Sequence, residues 1–318
     1  MVCDKELAFV FPGQGSQKLG MLSGLAKKYS IVQKTFNEAS DVLGYNLWQL
    51  SQQGSQNELN MTERAQPLLL TASVAIWRIW QQEDGAVPTL MAGHSLGEWS
   101  ALVCSGVVEF VDAVRLVQLR GKYMQETVPV GVGSMAAIIG LDDQVILDVC
   151  KEAEQGEFVS AVNFNSPGQV VIAGHAGAVE RAGYLCKEEG AKRVMALAVS
   201  APFHSELLRP AADRLAVDMA SVVFSQPDIL VVHNVNGKAE TNPLMIKQLM
   251  IEQIYKPVLW VDCVNELVTQ SVSKVVECGS GAVLSGLIRR IDRSISVLTS
   301  DTPEKLSMAL SERRATEK

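Results

Sequence analysis

The sequence predicts an α/β fold: a parallel sheet with helices on both faces, interrupted by a smaller unit of order β-α-β-β-α-β. Three observations predict it. Short, continuous apolar runs end on glycine or proline, the pattern of strands buried on both faces. Long amphipathic stretches alternate with those runs, as in parallel sheets joined by helical crossovers. Between residues 130 and 200 the rhythm changes, and predicted strands follow one another across a tight turn.

The elements follow in order. Residues 7–11 form an apolar run closed by Pro12-Gly13, a buried strand. Helices fill residues 19–43, with breaks, and 67–82; a second strand covers 89–93 and a helix 110–125. The middle of the chain then reads as strand 135–139, helix 142–154, strand 158–163, the turn Asn165-Ser166-Pro167-Gly168, strand 169–173, helix 176–189 and strand 193–199. This order is the ferredoxin-like unit. Gly131-Val132-Gly133 leads into it and Ser200-Ala201-Pro202 leads out. The expected organisation is therefore a discontinuous large domain, 1–129 and 200–318, with 130–199 inserted. Further strands are expected at 229–232, 274–278 and, less distinctly patterned, 294–298. The charged end, 311–318, is expected to fray.

Bulk properties narrow the function. The chain has 318 residues, 47% of them apolar and 20% charged, an ordinary globular balance. A net charge of −7 argues against nucleic acid as a partner of the whole chain. No apolar stretch approaches the roughly 18 residues of a membrane helix, so no membrane association is expected. The charged lead Met1-Val2-Cys3-Asp4-Lys5-Glu6 enters an apolar run too short for a secretory leader. Six scattered cysteines without a C-x-x-C pair fit a reducing compartment, and the cytoplasm is the expected location. No His, Cys, Asp and Glu cluster at metal spacing occurs, so neither a metal nor a cofactor is expected.

Gly93-His94-Ser95-Leu96-Gly97 carries the clearest chemistry. This G-x-S-x-G follows an apolar strand and leads into the helical Glu98-Trp99-Ser100-Ala101-Leu102-Val103. A serine on such an elbow exposes its hydroxyl beside the free N–H groups of a helix N-terminus, where an oxyanion can form. An ordinary glycine-bounded turn is the plainer alternative, and the flanking strand and helix favour Ser95 as a nucleophile. A serine nucleophile needs a base. His94 neighbours Ser95 and is poorly placed to take its proton; His175 falls on the inserted unit; His233 ends a strand and is the second choice. His204 lies where the chain returns from the inserted unit, a junction that lines a cleft, and is the first choice. No aspartate stands out as a third member. Either a carboxylate outside these motifs or a backbone carbonyl orients the imidazole.

Arg120 lies on one helical face with Ala113, Val117 and Met124, an apolar stripe. A buried guanidinium must be paired, either with an Asp or Glu of the chain or with a carboxylate ligand. Phe11-Pro12-Gly13-Gln14-Gly15-Ser16-Gln17 is a glycine-rich loop after the first strand. It lacks the dinucleotide and P-loop patterns, and reads as a tight turn or as the donor of a second oxyanion N–H.

With these pieces assembled, residues 7–291 resemble the malonyl-CoA:acyl carrier protein transacylases of bacterial type II fatty-acid synthesis. The resemblance rests on Phe9-Val10-Phe11-Pro12-Gly13-Gln14-Gly15-Ser16-Gln17, Ala92-Gly93-His94-Ser95-Leu96-Gly97-Glu98, Arg115-Leu116-Val117-Gln118-Leu119-Arg120-Gly121 and Asn163-Phe164-Asn165-Ser166-Pro167-Gly168-Gln169. It implies an α/β-hydrolase-like large domain with a ferredoxin-like insertion, and malonyl-CoA and acyl carrier protein as partners of a monomer. It implies Ser95 as the acylated nucleophile and His204 as its base. The main-chain N–H groups of Gln14 and Leu96 would form the oxyanion hole, Arg120 would hold the malonyl carboxylate, and the Gln253 carbonyl would orient His204. Asn165 matches a position near the site.

The chain departs from the pattern at three places. Trp99 stands where tyrosine is common and is expected to pack away from the chemistry. Phe203 stands where close bacterial relatives often carry serine, and resembles malonyl-selective polyketide acyltransferase domains. Glu277-Cys278-Gly279-Ser280-Gly281 replaces E-x-G-P-G, which puts the rigidity of that loop in question. An acidic carrier would meet Lys187, Lys192 and Arg193, or Arg289 and Arg290. Three rival readings share these residues: a serine hydrolase, a non-catalytic binding module for CoA or carrier, and a stand-alone loader for polyketide synthesis.

Overall fold

A computed structural model describes residues 3–199 and 201–316. Ser200, read as the first residue after the insertion, and the last two residues of the tail lie outside the described residues. Ten strands follow in chain order among them: β1 (Cys3–Phe11), β2 (Val87–Gly93), β3 (Gly133–Ile139), β4 (Val159–Ser166), β5 (Gln169–His175), β6 (Arg193–Ala196), β7 (Leu230–Val232), β8 (Ala239–Glu240), β9 (Lys274–Glu277) and β10 (Ser296–Thr299). One sheet has the order β10-β9-β1-β2-β7-β8, parallel except for the β7–β8 edge pair. The other, β4-β5-β3-β6, is antiparallel throughout and is the β-α-β-β-α-β unit expected from the sequence.

The apolar run 7–11 sits at the centre of the first sheet because both its faces are covered. Leu7, Phe9 and Phe11 enter the core shared with the helix Thr62–Gln82, while Ala8 and Val10 enter the core beneath the helices Trp260–Thr269 and Val283–Ile291. Strand β3 divides in the same way. Ala136 and Ile138 pack on the small unit's own helices, and Met135 and Ala137 face the main core. The second face of the small sheet therefore looks toward the large one. Main-chain bonds from Val258 N–H to the Val162 carbonyl (2.8 Å) and from Phe164 N–H to the Val258 carbonyl (3.0 Å) tie β4 to the segment before Trp260.

Several expectations are corrected. The stretch 19–43 holds two helices, Ser23–Lys28 and Ser30–Leu43, and two short ones follow, Leu47–Gln53 and Gln56–Asn60. The helix expected to start at Pro67 begins at Thr62, with Pro67 inside it. That extra turn places Gln66 on the helix. Gly121 packs against the same turn, and a Cβ there would lie 2.6 Å from the Thr62 carbonyl oxygen. The close crossing brings Gln66 alongside Arg120. Strand β6 ends at Ala196, short of residue 199. The helix Pro303–Thr316 covers most of the tail expected to fray and buries Leu306 and Ala309 near its start.

Candidate active site

Ser95 connects β2 to the helix Leu96–Cys104 with φ 53° and ψ −108°, a region that non-glycine residues rarely occupy. The turn must pass close to β1. A Cβ on Gly97 would overlap the Phe11 carbonyl oxygen, so glycine is required there. Strain of this kind persists only where the surroundings over-determine it. Here the Ser95 N–H donates to Asn234 Oδ1 (2.7 Å), and the Ser95 carbonyl accepts from Gln253 Nε2 (2.9 Å).

The structure brings Ser95 and His204 together: Ser95 Oγ lies 2.7 Å from His204 Nε2, and His204 Nδ1 lies 2.7 Å from the Gln253 main-chain oxygen. A carbonyl only accepts, so Nδ1 carries the proton and the lone pair of Nε2 faces the serine hydroxyl. His204 also has positive φ, 62°. Burial, and then the Arg120 charge, push its pKa down to about 3, against the opposing bond to Gln253, so the imidazole is neutral near pH 7. The other histidines are occupied elsewhere. His94 bonds Asn165 Oδ1 through Nε2 (2.8 Å), His175 Nδ1 accepts from Phe158 N–H (2.9 Å), and His233 Nδ1 meets Glu98 Oε1 (2.7 Å).

Arg120 is buried on the expected apolar face, and its partners are neutral. One terminal nitrogen donates to Gln66 Oε1 (2.8 Å), the other to Gln253 Oε1 (2.9 Å) and to Ser95 Oγ (3.2 Å), while Nε has no partner. Among the described residues no carboxylate reaches it at ion-pair distance. Burial lowers its pKa to about 10, opposed by the charge of Glu98. A guanidinium held this way remains cationic near neutrality, with its charge available to an anionic ligand beside Ser95.

Gln14, Ser95, Leu96, Arg120, Asn165 and His204 all line one cavity of about 520 Å³ between the two sheets. Leu96 is the first residue of its helix, so its N–H is one that the helix cannot satisfy. Trp99 is fully buried and meets Phe224 edge-on, away from the cavity. Phe203 lines the cavity wall. The departing loop after β9 is anchored: the Glu277 carboxyl group accepts from Leu284 N–H (3.0 Å), Ser285 N–H (2.8 Å) and Ser285 Oγ (2.6 Å). Sequence reasoning missed Gln66, Asn234 and the side-chain work of Gln253, and gave Glu98 no role. The one signal for Glu98 was its place one turn after Ser95.

Residues 8–302 match the acyl transferase domain family. The chain is 56% identical over 307 residues to the malonyl CoA-acyl carrier protein transacylase of Salmonella typhimurium, covering 96% of this chain and 99% of the relative. Among solved structures it is similar to an acyl carrier protein S-malonyltransferase from Vibrio cholerae, with TM-score 0.94, 54% identity, and 95% and 99% of the two chains covered. It is also similar to a malonyl-transacylase in complex with its type II PKS acyl-carrier protein, with TM-score 0.95, 54% identity, and coverage of 96% and 99%.

Proposed function

The chain belongs to the acyl transferase domain family, and from that premise we propose that it moves the malonyl group from malonyl-CoA to the phosphopantetheine thiol of acyl carrier protein, supplying the extender unit for fatty-acid synthesis. The transfer is ping-pong. His204 Nε2 takes the Ser95 hydroxyl proton as Oγ attacks the thioester carbonyl, and the oxyanion is met by the N–H groups of Gln14 and Leu96. Collapse breaks the C–S bond, and His204 returns its proton to the departing CoA sulfur. The carrier thiol then gives a proton to His204, attacks the malonyl-serine ester, and Ser95 leaves with that proton. The Gln253 carbonyl holds the imidazolium, taking the place of a triad acid. Asn165, bonded to His94, braces the elbow from the cavity side.

One observation carries this reading: a buried arginine whose partners are all neutral, reaching Ser95 Oγ at 3.2 Å. Such a charge suits an acyl group that ends in a carboxylate. The test is initial-rate kinetics with both substrates varied, together with release of free malonate. Parallel double-reciprocal lines with little free malonate are expected; converging lines would contradict the covalent route, and malonate released as fast as it is transferred would mean a hydrolase.

Supporting readings go with it. We take 130–199 as the inserted unit, the protein as a cytoplasmic monomer, and Arg289 and Arg290 as the better carrier contact. Arg290 bonds the Gln169 side chain, which lines the cavity, so its charge stands one side chain away from the cavity lining. Lys187, Lys192 and Arg193 are the alternative contact.

The lowered His204 pKa sets a pH dependence. Free imidazole titrates near 6.5 and His204 near 3, so between those values the unfolded chain binds a proton that the folded chain refuses. Stability therefore falls as pH drops below about 6.5, and is independent of this group above it. Activity should stay level from pH 8 to 5, because the folded enzyme keeps its base unprotonated. In Arg120→Gln the acid limb, followed with acetyl-CoA, should move toward neutral because one lowering charge is gone. A wild-type limb centred near 6.5 in kcat/KM would contradict it.

A further inference from the structure

Behind the Ser95 elbow lies a polar cluster that the reaction steps do not use. Glu98, His233, Asn234 and Gln253 are all fully buried. The Glu98 carboxyl group meets three nitrogens: His233 Nδ1 at Oε1 (2.7 Å), and at Oε2 the Asn234 N–H (3.1 Å) and Gln253 Nε2 (2.6 Å). Asn234 in turn holds two main-chain groups of the elbow, the Gly93 carbonyl through Nδ2 (2.7 Å) and the Ser95 N–H through Oδ1 (2.7 Å). Gln253 Nε2 holds the Ser95 carbonyl (2.9 Å), and its Oε1 accepts from Arg120 (2.9 Å).

We propose that Glu98 is a positioning residue which, through the Gln253 amide, fixes the strained Ser95 main chain and the Arg120 guanidinium relative to each other. The proposal rests on Ser95 being the nucleophile. Its logic is the polarity of an amide. A carboxylate only accepts, so it forces Gln253 to turn its NH2 toward Glu98 and Ser95 and its oxygen toward Arg120. Reversal of that amide would set two donors against the guanidinium and face its oxygen toward the Ser95 carbonyl oxygen. A buried carboxyl group is also costly to keep where an apolar side chain would pack as well, so its retention fits a role in orientation. His233 gives Glu98 its third partner and leaves its own Nε2 unpartnered in the interior, as expected of a residue recruited for one contact.

The test uses the full chain and two variants. Glu98→Met, of similar length, removes the oxygen that accepts from the Gln253 NH2 and so frees the amide to turn. Gln253→Ala deletes the amide yet keeps the main-chain carbonyl that bonds His204. The readouts are kcat per titrated active site and the ratio of kcat/KM for malonyl-CoA over acetyl-CoA, which does not depend on the folded fraction. Each variant is expected to lose about 10- to 100-fold in kcat and about 10-fold or more in the ratio, the scale of a misplaced reacting group. If Glu98→Met does not fold, the smaller Glu98→Ser takes its place, because Gln253→Ala by itself tests the amide and not the carboxyl group that orients it. Ratios within twofold of wild type in the variants that fold would overturn the proposal. Ser95→Ala run in parallel separates the two layers: acylation surviving in Ser95→Ala would remove the nucleophile reading itself, whereas its loss alongside unchanged ratios would remove only the role of Glu98.

Discussion

Replacing His204 with alanine should slow acylation of the enzyme by malonyl-CoA by about 1,000-fold, within the range of about 100- to 10,000-fold for a positioned general base. The hydroxyl of Ser95 has one acceptor aligned for its proton, His204 Nε2 at 2.7 Å. Without it the proton must pass to water or to the thioester sulfur while the oxyanion forms. The N–H groups of Gln14 and Leu96 and the Arg120 contact remain, so activity should stay above the uncatalysed rate. The variant should fold, since the imidazole is buried neutral and its removal leaves main-chain carbonyls, that of Gln253 first, without their donor, at a cost of about 1–3 kcal/mol each. Rapid-quench acylation in a single turnover measures the loss. A fall of less than tenfold would take His204 out of the role of base.

Arg120→Ala should lower malonyl transfer by about 100-fold or more, in line with the 2–5 kcal/mol typical of truncating one partner of a buried charge pair. Acetyl transfer should fall much less, so preference shifts toward acetyl groups. A malonyl carboxylate entering the altered cavity would be desolvated without a countercharge, whereas an acetyl group has no charge to satisfy. The variant also strips the donors from Gln66 Oε1 and Gln253 Oε1. Some stability is therefore lost, and the diagnostic quantity is the ratio of kcat/KM values. An unchanged malonyl-to-acetyl ratio would show that Arg120 does not read the carboxylate.

The parts of the fold legible in the sequence were those with a local cause. The run 7–11 is apolar on both faces because β1 lies between β2 and β9, and its two sets of side chains enter different cores. The antiparallel sheet was legible because its strands are bounded by turn residues such as Pro167 and Gly168. The start of the helix Thr62–Gln82 was not, because Pro67 reads as a first-turn residue and only the packing of Gly121 against Thr62 reveals the extra turn. Strand β8, two residues long, leaves no pattern to read.

The site divided along the same line. Ser95 stood out by its elbow and Arg120 by a charge on an apolar stripe. His204 stood out by the junction it occupies, and Gln253 came only through family resemblance. Gln66, Glu98 and Asn234 act through hydrogen bonds to residues far along the chain, as Asn234 does with Ser95 and Gln66 with Arg120. Such contacts have no period and no motif. They follow from the crossing of two helices and the meeting of β2 with β7, which only the folded chain displays.

The most direct test of the account is the intact mass of the protein after mixing with malonyl-CoA, for wild type and Ser95→Ala, followed by addition of acyl carrier protein. One malonyl adduct is expected on wild type, none on Ser95→Ala, and transfer of that adduct to the carrier. An adduct on Ser95→Ala, or a wild-type adduct that decays to malonate while the carrier stays unmodified, would contradict it.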